Sequence, residues 1–96
     1  MENKFELLIE QCEDAILKVD NERAKELINE AFALNNSSPK VHNLLGIIAE
    51  IQWDKSLAIQ HYRAALALDA SFKPAIKNLE KITSFDYLFK AENLFF

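Results

Sequence analysis

Ninety-six residues, half of them apolar and 27% charged, suffice for one domain with a filled core and are too few for two. A single glycine (Gly46) and two prolines (Pro39, Pro74) exclude the glycine-rich loops that cradle phosphates or dinucleotides, and argue against an all-β fold rich in tight turns. Eleven basic against fifteen acidic residues, a net charge of −4, oppose nucleic acid as a partner, because a surface of that sign repels a phosphate backbone.

The acidity is concentrated early: residues 1–36 hold nine acids and four bases, and residues 37–96 hold six acids and seven bases. Leu7-Leu8-Ile9, the first apolar run after Met1-Glu2, is too short for a signal core, and Leu44–Ala49 falls far short of the ~20 residues a membrane span requires. Cys12 has no second cysteine to pair with, which suits a reducing compartment. The expectation is a cytoplasmic chain with no membrane partner.

Taken in order, the predicted elements repeat. A shift of 34 lays Leu8 on His42 and Ile76, Cys12 on Gly46, Ala15 on Ala49, Ala24 on Ala58, Ile28 on Tyr62, Ala31 on Ala65 and Leu34 on Leu68. Small residues fall on small ones and large apolar residues on large ones. A period of this length marks stacked helical units, none of which can bury its apolar face alone. The first unit spans 5–38, with Asp20 as the cap of its second helix and Val19 and Ala24 placed for a hydrophobic staple. The second spans 39–72. Ser38 and Pro39 open its first helix, Val41, Leu44, Leu45, Ile48 and Ile51 follow helical spacing, and Asp54 opens its second helix, with Trp53 and Ala58 as the staple. A partial third unit begins at 73. Asn35–Ser38 and Ala70–Lys73 are the short linkers between units, polar or mixed in composition.

In the second copy Leu45-Gly46, Ala58, Tyr62 and Ala65 make the chain resemble the tetratricopeptide repeat family, with Tyr62–Asp69 as the most typical stretch. His42, Ala49 and Ala70 depart from residues the family prefers, and Cys12 takes the glycine position in copy one. The resemblance implies an all-α fold of about six helices, an antiparallel helix-hairpin solenoid forming a single domain over 1–96. It also implies that Gly46, Ala58 and Ala65 are small because two helices approach closely there.

Residues 73–83 fit a helix with Ile76, Leu79 and Ile82 inward. Beyond it, 84–96 carries five of the ten aromatics, and Asp86, Lys90 and Asn93 form a polar stripe at helical spacing. The pattern predicts a sixth helix. It folds back to complete the third pair, with Phe96 at the Ile28/Tyr62 position, or leaves Phe85, Leu88, Phe89, Phe95 and Phe96 as a surface for a partner, a second copy or the next repeat of a longer chain, and the two are compatible.

No catalytic constellation emerges. His42 and His61 lie 19 residues apart and far from Cys12, a spacing that does not suggest a metal site, and Glu10, Glu13 and Asp14 around Cys12 oppose thiolate formation. No enzyme activity, cofactor or metal is expected.

What the resemblance implies is a concave groove lined by the first helix of each unit, taking a peptide or protein. Its stripe here is Glu6, Ile9 and Glu13, then Lys40, Asn43, Ile47 and Glu50, then Lys77 and Lys81. Some family members grip a terminal carboxylate with Lys and Asn on the first groove helix, Asn on the second, and basic residues on the third. Asn43, Lys77 and Lys81 match in part, but Ile9 and Glu13 stand in place of the first pair, and Glu13 would repel a carboxylate. The expected function is a non-catalytic interaction module. The alternative is a self-assembling subunit joined through its aromatic end.

Overall fold

The computed structural model describes residues 3–96, so the opening Met1-Glu2 lies outside the described residues. Among these are five α-helices: α1 (Lys4–Leu17), α2 (Asn21–Leu34), α3 (Pro39–Ile51), α4 (Lys55–Leu68) and α5 (Lys73–Ile82). A 3-10 turn at Ala91–Asn93 is the one further helical element among the described residues, and no strand occurs there; the fold is all-α. α1 packs on α2, α3 on α4 and α4 on α5, while α3 also touches α1, α2 and α5 and so takes the centre.

Local chemistry accounts for the helix boundaries. Asn3, Asp20, Ser38 and Asp54 each accept the N–H of the third residue onward with a side-chain oxygen, occupying an amide that the helix itself leaves free. The carboxyl or carboxamide of Asp69 and Asn35 accepts the N–H two residues on, from Ser71 and Ser37, turning the chain from one unit to the next.

The turns inside the two units are copies of each other. After α1, Val19 N–H donates to the Ile16 carbonyl and Asp20 N–H to the Ala15 carbonyl; after α3, Trp53 N–H donates to Glu50 and Asp54 N–H to Ala49. This crossed pair of bonds is the Schellman closure, and it requires left-handed backbone at the residue before the aspartate. Glycine normally fills that place, yet here it holds Val19 (φ 60°) and Trp53 (φ 65°). Neither side chain is buried as a staple would be: Val19 and Trp53 are 75% and 77% exposed at these left-handed turns. A β-branched residue is poorly tolerated at positive φ. Val19→Gly is therefore expected to raise stability by about 1 kcal/mol despite glycine's looser unfolded chain, read as a higher Tm in a thermal melt.

The core is continuous from α1 to α5. Cys12, Ala24, Ala31, Val41, Leu44, Ile47, Ala58, Tyr62 and Ala65 are fully buried. At Gly46 the limiting contact is a ring, not a backbone: an added Cβ would stand 2.5 Å from Tyr62 Cε1 and 2.6 Å from Cδ1.

Candidate functional site

The site begins where α5 stops. Thr83 Oγ1 donates to the Leu79 carbonyl (2.6 Å) and Ser84 Oγ to the Lys81 carbonyl (2.8 Å), so the last helical carbonyls are occupied by hydroxyls and no further turn is needed. The chain then turns through Ser84–Tyr87 and runs on without forming the expected sixth helix. Aromatic residues favour helix weakly, and this segment finds better partners for its backbone in side chains of α3 and α5. It crosses these helices and reaches the end of α1.

The centre of the grip is a pair of buried carboxamides. Asn43 on α3 and Asn78 on α5 both donate from Nδ2 to the Phe95 carbonyl, each at 2.8 Å. Asn78 also donates to Asn43 Oδ1 (2.9 Å), and its own Oδ1 accepts the Phe95 N–H (3.1 Å). Phe95 is thus held by both of its main-chain polar groups. Lys77 Nζ stands 5.4 Å from the Phe95 ring centroid and Lys81 Nζ 5.9 Å, within range of attraction to the ring face. Beyond Phe95, the side chains of Phe89, Leu94 and Phe96 join Ile16, Leu17, Val19 and Ile51 around an apolar cavity of about 240 Å³.

Glu50 forms a second anchor. It is 2% exposed; Tyr62 Oη donates to Oε1 (2.7 Å), Tyr87 Oη donates to Oε2 (2.8 Å), and Lys81 Nζ lies 3.2 Å from Oε2. Lys81 in turn donates to the Asn93 carbonyl at 2.8 Å. Burial first, and the neighbouring Glu50 carboxylate next, push the Tyr62 hydroxyl far above its usual pKa. Tyr87 is raised by burial and by its bond to Glu50. Both phenols therefore stay protonated donors, as a buried carboxylate requires.

The groove stripe expected to lie open is covered in part by this segment, which bonds Asn43, Glu50 and Lys81 and leaves Glu6 and Lys77 exposed. Asn43, Ile47 and Glu50 are buried, and so is Ile9 on α1. Glu13 is half-buried and pairs with Lys40 across α1 and α3 at 3.7 Å, while Glu6 stays exposed in the first turn of α1, away from the cluster. Of the aromatic surface, Phe89, Phe95 and Phe96 are half-buried, Phe96 against the core and Phe89 edge-on to Trp53, and only Phe85 and Leu88 stand exposed. Asn78 and the two tyrosines lie outside the stripe that the sequence predicts. Asn78 falls on Leu44 under the shift of 34, and a polar residue at a core position is the signal the sequence carried.

The two histidines, 19 residues apart in sequence, are neighbours in the fold. His42 Nδ1 lies 3.5 Å from His61 Nδ1, and His42 Nε2 lies 2.9 Å from the Asn36 carbonyl, to which it can only donate. That leaves His42 Nδ1 as acceptor and His61 as donor. Burial, then His42, lowers the His61 pKa from 6.5. The unfolded chain thus binds a proton that the folded chain refuses, so stability falls as pH drops below 6.5 and levels off below the folded-state value. Melts between pH 7.5 and 5.5 should show this slope, and His61→Gln should flatten it. Cys12 is chemically quiet: burial and then Glu13 push its thiol up to about 12.

No protein-family model matches the chain, and comparison with curated proteins and with solved structures gives no significant match. Among the described residues no helix is long and apolar enough to cross a membrane, and no group of three or more His, Cys, Asp or Glu side chains converges as a metal site would require.

Proposed function

We propose that the chain is a non-catalytic, cytoplasmic protein–protein interaction module, built as a tetratricopeptide-like stack of helix hairpins whose α1–α3–α5 face receives a segment of a partner protein. One observation carries the reading. Two fully buried carboxamides, on neighbouring helices, direct their hydrogen bonds to the main chain of a non-helical segment. Packing alone would favour apolar residues at these positions, since buried amides stabilise only when every bond is made. The 34-residue period and the shared turns support the hairpin reading.

The test is site-specific photo-crosslinking in native extract. A crosslinker at Lys77, beside the Phe95 ring, should trap a defined protein that the same group at exposed Arg63 on α4 does not. Equal products from both positions would remove the groove from consideration.

A second reading, a self-assembling subunit, is favoured by the full exposure of Phe85 and the 72% exposure of Leu88. Sedimentation separates the two: self-association that disappears in Phe85→Ser/Leu88→Ser supports assembly, and a monomer at every concentration removes it.

A further inference from the structure

We infer that the segment after α5 is a built-in occupant of the groove, and that the groove's partner is a heterologous extended segment of the same chemistry, an aliphatic residue followed by two aromatics, which binds by displacing it. The inference rests on the interaction-module reading and specifies its ligand. Three features define that ligand. The middle residue presents a free N–H and carbonyl, because Asn78 bonds both and Asn43 bonds the carbonyl. It carries an aromatic ring, because the Lys77 ammonium stands over that face while the charge of Lys81 is matched by Glu50. Its neighbours are apolar, because Leu94 and Phe96 pack against the buried core and wall the cavity together with Ile16 and Ile51.

The occupant is attached so that it can leave. Its connection to α5 is an exposed turn, with Phe85 and Asp86 in solvent. Nearly all its polar anchoring is made by helix side chains on its main chain or by Tyr87 on Glu50, bonds that another peptide can reproduce. A second copy of the chain is a poorer candidate. A short tether holds the segment at an effective concentration of the order of 1 mM, which an identical segment in trans matches only near that concentration. A foreign segment with closer contacts is not so limited.

The experiment uses the full chain and a fluorescent peptide with the sequence of residues 87–96. If the peptide binds an empty groove with a Kd of about 10 μM, the tethered copy should weaken its binding to the unaltered chain about 100-fold. Leu94→Ser/Phe96→Ser weakens the tethered copy and leaves the helices intact, and should recover most of that factor. Adding Asn78→Ala should reduce binding again by about tenfold, and a peptide with proline in place of Phe95, lacking the N–H, should not bind.

Should the serine variant fail to fold, a specific protease site placed across Phe85–Asp86 gives the same information. After cleavage the released end should stay associated and exchange with labelled peptide. Equal weak binding by variant and unaltered chain, or a cleaved end that departs and cannot rebind, overturns the inference. So does a dimer with exchanged ends, which would make the second copy the occupant. A partner trapped from Lys77 alongside such a result would leave the interaction module standing and remove only this inference.

Discussion

Gly46→Ala is expected to destabilise the protein by about 1–3 kcal/mol, even though alanine is the better helix former by about 0.5–1 kcal/mol. The added Cβ would meet the Tyr62 ring at 2.5 Å, and that ring has nowhere to go. Tyr62 is fully buried, and its hydroxyl is fixed by Glu50 at 2.7 Å. Gly46→Leu adds three more carbons to the same contact and is expected to abolish the cooperative transition. Urea or thermal unfolding measures both, each kcal/mol lowering Tm by about 4–8 °C in a domain of this size.

The reason can be tested separately through the repeat itself. Copy one holds Cys12 and Ile28 where copy two holds Gly46 and Tyr62, a larger residue opposite a smaller one. Combining Gly46→Cys with Tyr62→Ile should therefore be less harmful than the sum of the two single changes. Strict additivity would mean that the two positions do not share space.

Glu50→Ala is the second large effect, a loss of about 3–5 kcal/mol in urea unfolding. The substitution removes the acceptor of two phenols and leaves Lys81, whose side chain is 15% exposed, beside a void without its counter-charge. Glu50→Gln should be milder, because an amide oxygen still accepts one phenol, although Lys81 loses its ion pair. Both variants should loosen the segment after α5 before the helices unfold. Hydrogen exchange at the Phe95 amide, bonded to Asn78, should quicken more than exchange within α3. Uniform acceleration would mean that Glu50 stabilises the whole molecule without specifically fastening that segment.

The protein's ion pairs belong to different classes. Lys81–Glu50 is largely buried and has several supporting hydrogen bonds, whereas Lys18–Asp14 is an exposed pair one helical turn apart. The latter contributes little in water, and its loss should pass unnoticed beside the effects above.

Much of the fold was legible because it is written locally and then repeated. Helical spacing of apolar residues, caps at Asp20, Ser38 and Asp54, and proline near the start of α3 are each decided within a few residues. The staple reading at Val19 and Trp53 failed for an equally local reason. An apolar residue before an aspartate cap reads the same whether it points inward or closes a left-handed turn, and here the backbone bonds decided for the turn.

By itself, then, the sequence determined an all-helical chain of 34-residue units and the places where small residues must sit, since period and residue size are properties of neighbours along the chain. The tertiary structure alone decided the fate of 84–96. A helical pattern there competed with hydrogen bonds to residues 17 and 52 positions away, at Asn78 and Asn43. It likewise brought His42 to His61 and buried Glu50 between two tyrosines, contacts that depend on which helix faces come together. Such bonds have no period along the chain; they exist only once α3 and α5 stand side by side.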